Sequence, residues 1–362
     1  MNILPDIDTS LTLDFTSSAH SSTILFISPE ELNSVLNERK KSVFIIDRNL
    51  FRLYERMIKA LLAENGAENP SPFLLLQAKE ANKDCSTLRS IIDFFILHRV
   101  TRNDNIVAIG GGITLDITAF AASIYKRGCY LTLIPTTFLA MIDAAVGGKT
   151  GINYQNYKNI LGSFYPADSI FIAPQFLYSL PEVEIKNGWA ECIKIALLYS
   201  TKLYGLIMKD SSEITADIIR ESILGKYHFS CQDLTDSGVR QKLNLGHTFA
   251  HLIESATDYQ IPHGLAVAIG IRAAVELSLK RGLITKATMR RIIEPLEFLK
   301  LPNSLESKYH DRIRQKGEKL LGMDKKNRHT GQVILFTGFQ KTVISSFSDP
   351  AELIETLLAL GH

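Results

Sequence analysis

The first half of this chain alternates short apolar runs with longer stretches of helical spacing, and that alternation limits the folds open to it. TILFIS, SVFIID, PFLLLQ, NIVAIG and YLTLIPTT are brief and rich in β-branched or bulky apolar residues. Between them, NLFRLYERMIKALLAENG, STLRSIIDFFILHRV and TLDITAFAASIYKRG carry apolar residues at three- and four-residue intervals. Unbroken apolar strands separated by helices signal strands buried on both faces. The expected architecture is an open, mostly parallel, Rossmann-like sheet with helices on both faces.

From about Glu182 the pattern changes. EIKNGWAECIKIALLYSTKLYGLIMKD, ITADIIRESILGKYHF, HTFAHLIESATD, GLAVAIGIRAAVELSLKRG and ATMRRIIEPLEFL all read as helix, and only QVILFTGFQKTVISSF reads as strand. The expected fold class is therefore α/β plus α. An α/β domain is expected over 1–180 and a mostly helical domain over 181–362.

Composition narrows the function classes. With 46% hydrophobic and 22% charged residues, 362 residues can bury an ordinary globular core. A net charge of +2 offers no field for nucleic acid. No apolar run is long enough for a membrane span. MNILPDIDTS has neither a basic n-region nor an apolar h-region, so no signal peptide is expected. Cys85, Cys129, Cys192 and Cys231 form no C-x-x-C pair. Reduced thiols and a cytoplasmic location are expected.

Chemistry-bearing residues crowd the stretch from Asn105 to Lys194. Gly110-Gly111-Gly112 follows a buried strand and precedes a helix, where glycine admits a pyrophosphate against the helix N-terminus. A tight strand–helix turn would leave the same trace. Asp116 sits early in that helix and is either a dipole partner or a ribose or site contact. Gly147-Gly148-Lys149-Thr150 resembles the end of a phosphate loop, but Asp143 stands where a Walker motif needs its first glycine. Lys149, Lys158 and Arg127 together suggest an anionic substrate.

Glu191 lies on a helix that is apolar nearly all round, so it is expected to be buried and to need a partner. Lys194, one turn on, would give a plain salt bridge. His247, His251 and His263 offer the alternative of a divalent metal site. The H-x-x-x-H spacing alone would make both His247 and His251 ligands.

The motifs GGGITLD, IPTT, IDAAVGGKTGIN, KNILGSFYP, NGWAECIK, LNLGHTFAHLIE, HGLAVAIG and MDKK follow one another in this order. In that order and near that spacing the chain resembles the 3-dehydroquinate synthase family of sugar phosphate cyclases, from about residue 43 to 337. The resemblance implies a homodimer with tightly held NAD and a divalent metal, most often zinc, with cobalt as a substitute. It implies conversion of 3-deoxy-D-arabino-heptulosonate 7-phosphate to 3-dehydroquinate and phosphate, on the shikimate route. In that reaction NAD takes a hydride, phosphate leaves with its own oxygens a plausible base, the hydride returns, and an aldol step closes the ring.

By position, the resemblance makes Glu191, His247 and His263 the metal ligands and His251 a catalytic residue near the substrate hydroxyl. It assigns NAD contacts to Asp47, Glu80, Lys83, Gly111, Gly112, Ile113, Thr114, Leu115, Asp116, Thr136 and Thr137. Phe176, Leu177, Tyr178 and Ser179 would close over the adenosine end. Asp143, Lys149 and Lys158 would lie further along the cofactor and at the reaction centre. Arg127, Lys149, Asn159 and Lys325 resemble the phosphate and substrate contacts, Arg127 reaching a neighbouring subunit. Lys194, Lys226, Arg240 and Asn244 resemble those that read the carboxylate, carbonyl and hydroxyls.

The chain departs from the family pattern where Leu115 and Ala119 replace glycines and Leu265 replaces a glutamate. Leu115 is expected to reshape the pyrophosphate site, and Leu265 to remove a carboxylate supporting the metal. Rival readings are another sugar phosphate cyclase such as 2-epi-5-epi-valiolone synthase, a glycerol dehydrogenase-like oxidoreductase, and a non-catalytic binding protein.

Overall fold

The computed structural model describes residues 10–15, 20–37, 41–63, 70–155, 157–209, 213–317, 331–347 and 349–360. These form two compact units, one of residues 1–181 with 230–235, the other of 182–229 with 236–362.

In the first unit the strands are β1 (Ser10–Phe15), β2 (His20–Phe26), β3 (Ser42–Asp47), β4 (Phe73–Leu76), β5 (Asn105–Gly110), β6 (Tyr130–Pro135), β7 (Lys149–Tyr154), β8 (Tyr157–Phe164) and β9 (Ser169–Ile172). Seven of them make one sheet in the order β1-β2-β9-β6-β5-β3-β4. Every neighbouring pair is parallel except β1 with β2. Every residue of β5 is buried, and so are the first five of β3. Each fully buried Val or Ile there contributes roughly 1.5–3 kcal/mol. That two-sided burial is why these strands show no polar alternation.

The chain runs from β3 out to β4 and then returns to the other side of β3 to form β5. Strand order therefore reverses between β3 and β5, and such a switch point opens a crevice at the carboxyl ends of the two strands. Asp47 ends β3 and Gly110 ends β5 at this crevice. A Cβ on Gly110 would lie 3.1 Å from Asp47 Cβ and 2.8 Å from Thr114 Cβ, so the backbone is packed too closely for a side chain.

Two elements differ from the sequence reading. The stretch after Asp47 is two short helices, Arg48–Leu53 and Glu55–Leu62, divided at Tyr54, whose φ and ψ of −120° and 31° are not helical. Asp47 Oδ1 caps the first by accepting from the N–H groups of Asn49 and Leu50 at 2.7 and 2.9 Å. The Gly-Gly-Lys loop is the entry to an antiparallel hairpin, β7–β8, separate from the main sheet. This hairpin lies along the helix Gly112–Ile124, with Ser163 Oγ 2.7 Å from Ser123 Oγ.

The second unit is mostly helical. Its helices include Glu182–Leu198, Thr201–Lys209, His247–Ala256, His263–Lys280, Lys286–Phe298 and Pro350–Leu358. One hairpin, β10 (Gly331–Gly338) and β11 (Lys341–Phe347), accompanies them. The helix His263–Lys280 packs against both Glu182–Leu198 and His247–Ala256. At its start a Cβ on Gly264 would fall 2.0 Å from the Asn187 carbonyl oxygen, so only glycine lets the two backbones meet. Asn187 Oδ1 accepts the Gly264 N–H, which fixes the start of this helix one turn from Glu191. No helix among the described residues is long and apolar enough to cross a membrane.

Candidate metal centre and cofactor site

Every residue from Asn187 to Leu198 is buried, so the helix carries Glu191 into the interior, with its side chain 2% exposed. Lys194, also buried, contacts Oε2 of that carboxylate. The sequence left a salt bridge and a metal ligand as alternatives, and the carboxylate has room for both. Its other oxygen, Oε1, lies 3.6 Å from His247 Nε2 and 3.5 Å from His263 Nε2. It makes no well-formed hydrogen bond.

Glu191, His247 and His263 offer three ligand atoms within 4.8 Å of one another. Donors about 2.0–2.1 Å from a tetrahedral zinc sit roughly 3.3 Å apart, so two of the spacings already match. One hard carboxylate oxygen and two imidazole nitrogens suit zinc or a similar divalent ion. The donor set fits a metal. His251 is not part of it. Its ring centroid lies 5.7 Å from that of His247, on the exposed side of the helix. The i, i+4 spacing would have paired them as ligands, but the clustered ligand atoms are those of Glu191, His247 and His263.

The electrostatics follow from burial and crowding. Burial pushes the Glu191 carboxyl up, but Lys194 and then the two imidazoles outweigh it and hold the carboxyl well below its ordinary range. Burial, reinforced by the Lys194 charge, lowers His247 to about 3. Burial also opposes the charge on His263, yet Glu191 and Glu254 win and raise it to about 9. His247 is thus a neutral, ready donor, whereas a metal must displace a proton from His263.

Two further cations are buried in this unit. Arg240 is 1% exposed, on the short 3-10 helix Val239–Asn244, which packs against the helix bearing Glu191. Lys226 lies one turn beyond Ser222, whose Oγ is 3.3 Å from Cys192 Sγ on that same helix. Asn244 is exposed at the end of its 3-10 helix. Lys325 and the MDKK motif lie outside the described residues.

The cofactor candidates of the first unit gather at the carboxyl ends of β3, β5 and β6. The helix Gly112–Ile124 begins on Gly111, and no side chain caps it. Its first N–H groups therefore face outward without an intrahelical acceptor, which suits a pyrophosphate. Thr137 packs over Gly111, and the Thr136 N–H donates to the Gly110 carbonyl at 3.0 Å. This cradle fits a dinucleotide. The Asp47 carboxylate is engaged through Oδ1 in its helix cap. Ser179 Oγ accepts from Tyr54 OH at 2.8 Å and donates to the Phe176 carbonyl at 3.2 Å, which ties down the end of the 3-10 helix Pro174–Ser179. Tyr178 and Ser179 are exposed there, whereas Phe176 and Leu177 are buried.

Leu115 needs correction. Its side chain is 1% exposed and its N–H is spent on the Gly111 carbonyl at 3.1 Å. It points into the core, so its side chain offers no direct contact to a ligand. Ala119, one turn on, is likewise buried. The Thr114 side chain is also fully buried, beneath Gly110, whereas Ile113 is half-buried.

The remaining candidates divide. Lys83 Nζ is held 2.6 Å from both Asp116 Oδ2 and Asn159 Oδ1. Glu80 Oε1 accepts from Asn153 Nδ2 at 2.8 Å, so Glu80 also grips the hairpin. Asp143 sits in a π-helical turn, Ala140–Ala144. The backbone positions of Lys149, Lys158 and Arg127 are set well apart in this chain. Lys149 pairs with Phe164 at one end of the hairpin and Lys158 adjoins the tip pair Tyr154–Tyr157, about 13 Å away at strand rise. Arg127 precedes β6, whose first residue pairs with Asn105 at the opposite edge of the sheet from Gly110. It borders a cavity of about 810 Å³ with Arg102, Tyr165 and Asp168.

Comparison with known proteins agrees with this geometry. The 3-dehydroquinate synthase N-terminal family model matches residues 73–187, and its C-terminal counterpart matches 188–327. A 3-dehydroquinate synthase from Campylobacter fetus subsp. fetus (strain 82-40) is 41% identical over 62% of this chain and 66% of that protein. One from Prochlorococcus marinus (strain MIT 9215) is 35% identical over 77% of this chain and 79% of that protein. Among solved structures, 2-epi-5-epi-valiolone synthase from Streptomyces hygroscopicus subsp. jinggangensis 5008, with NAD+ and Zn2+ bound, superposes with a TM-score of 0.80 at 27% identity, over 92% of this chain and 95% of that one. The chain belongs to the 3-dehydroquinate synthase family of sugar phosphate cyclases.

Proposed function

We propose that this chain is a 3-dehydroquinate synthase, a carbon–oxygen lyase that converts 3-deoxy-D-arabino-heptulosonate 7-phosphate to 3-dehydroquinate and phosphate. The observation that carries the reading is the Glu191–His247–His263 cluster, in one unit with the buried cations Lys194, Lys226 and Arg240. A metal-dependent alcohol oxidation needs only the cluster. The added cations suit a substrate that carries a carboxylate.

Glu191, His247 and His263 would hold zinc, or cobalt in its place. Asp47, the backbone from Gly111 to Ile113, Thr136, Thr137 and the loop Phe176 to Ser179 would hold NAD. When bound, the metal acidifies a substrate hydroxyl, and NAD takes up and returns a hydride, so turnover is redox-neutral.

The chain's own groups do the rest. Lys194 neutralises Oε2 of Glu191 and leaves Oε1 turned to the two histidines. Lys226, Arg240 and Asn244 bind the substrate carboxylate and hydroxyls. His251, exposed one turn from His247, exchanges a proton with the substrate hydroxyl. Lys149, Asn159 and Lys325 hold the phosphate end, and Asp143 and Lys158 lie further along the cofactor. Arg127, at the amino ends of the strands, serves a second subunit, so the working form is a homodimer, and the expected location is the cytoplasm.

The test is phosphate release from 3-deoxy-D-arabino-heptulosonate 7-phosphate with catalytic NAD and added zinc or cobalt. Equal amounts of phosphate and dehydroquinate, with no lasting NADH absorbance, support the reading. Silence with this substrate but release from sedoheptulose 7-phosphate would move the chain to the valiolone-type cyclases.

A further inference from the structure

His263 is held from both sides by carboxylates. Its Nε2 lies 3.5 Å from Glu191 Oε1, and its Nδ1 lies 3.4 Å from Glu254 Oε1. Glu254 belongs to the helix His247–Ala256, two turns beyond His247, and is only 4% exposed. A buried carboxylate is costly unless a neighbour pairs with it. The proposed reaction gives it no contact with substrate.

We propose that Glu254 is a positioning residue that fixes the tautomer and ring plane of His263 and so completes the metal centre. This rests on reading Glu191, His247 and His263 as that centre. A proton on Nδ1, donated to Glu254, leaves the Nε2 lone pair for the metal and makes the imidazole a stronger donor. His247 obtains the same service from the backbone, with its Nδ1 3.2 Å from the Leu245 carbonyl oxygen. The two ligands are thus supported unequally, one by a neutral carbonyl and one by a charge. The helix His263–Lys280 has no acidic residue in its own first turn. Leu265 therefore does not strip the centre of its supporting carboxylate, because the neighbouring helix supplies one.

Zinc affinity, measured by competition with a chromophoric chelator, tests this in the full chain for Glu254→Gln and Glu254→Met, with Glu191→Gln alongside. Glu254→Met removes the acceptor and should weaken zinc 10- to 100-fold. Glu254→Gln keeps shape and an acceptor but not the charge, and should lose less, about tenfold. The visible spectrum of the cobalt form should shift in both. If Glu254→Met fails to fold, the glutamine variant decides alone. Parent-like zinc affinity and an unchanged cobalt spectrum in the folded variants would overturn the role of Glu254. Zinc binding that is also indifferent to Glu191→Gln would instead overturn the metal centre itself.

Discussion

Lys83 Nζ stands 2.6 Å from Asp116 Oδ2, and the same ammonium reaches Asn159 Oδ1 at 2.6 Å. One buried cation therefore binds the first turns of the glycine-turn helix to the tip half of the hairpin β7–β8. Asn159 also donates its N–H to Asn153 Oδ1 at 2.9 Å, and Asn153 in turn donates to Glu80. Lys83→Met would take the ammonium from the half-buried Asp116 carboxylate. Losing such a charge-assisted pair costs on the order of 1–3 kcal/mol. The expected result is a lower urea midpoint for the first unit and weaker NAD binding, with zinc content unchanged. Parent-like stability would show that the tether carries no strain-bearing role.

Glu191→Gln removes a ligand and leaves the Lys194 ammonium without its counter-ion in a dry site. The purified variant should retain less than a tenth of the parent's zinc by elemental analysis, and turnover should vanish. The lost pairing should also destabilise the second unit by about 3 kcal/mol. Full zinc occupancy in this variant would remove Glu191 from the ligand set.

The parallel sheet was legible because β3 and β5 are buried on both faces and so appear as unbroken apolar runs. The hairpin β7–β8 was not. It exposes Tyr154, Tyr157, Ile160, Leu161 and Phe164, so its apolar residues follow no inward-facing period. At the metal centre, helical spacing marked His247 and His251 as equivalent, and only the packing of three helices separates them. Glu254 closes the motif LNLGHTFAHLIE, but the motif does not show its partner, because His263 comes from the next helix. Lys83 was named only through the family resemblance, as an NAD contact, and its place between Asp116 and Asn159 comes from the fold. Pairings across elements are set by packing angle, which no local pattern encodes.

The cysteines predict their own reactivity. Cys85 is exposed, whereas Cys129 and Cys192 are buried, and burial pushes the Cys192 thiol up to about 12. At neutral pH, Ellman's reagent should label Cys85 at once and Cys231 more slowly. Cys129 and Cys192 should react only on unfolding. All four should titrate in denaturant without reductant. Prompt labelling of Cys192 in the native protein would contradict the packing of the glutamate helix.

The last prediction concerns acid stability. Arg281 caps the helix that begins at His263, and its Nε lies 3.0 Å from Glu352 Oε1 on the C-terminal helix Pro350–Leu358. The guanidinium outweighs burial and lowers the Glu352 carboxyl from its ordinary value of 4.5. A lowered folded-state value means that the stabilisation is complete above about pH 5 and is lost as pH falls through the folded value. Both side chains are partly exposed, so the pair is worth on the order of 1 kcal/mol. Glu352→Gln should therefore unfold at lower urea than the parent at pH 7, and the gap should close as pH falls below the ordinary carboxylate range. A gap independent of pH would show that the loss comes from packing and not from the charge. Because this pair fastens the far end of the helix whose first residue is His263, its weakening should first be felt as a looser C-terminus and only later as lost zinc.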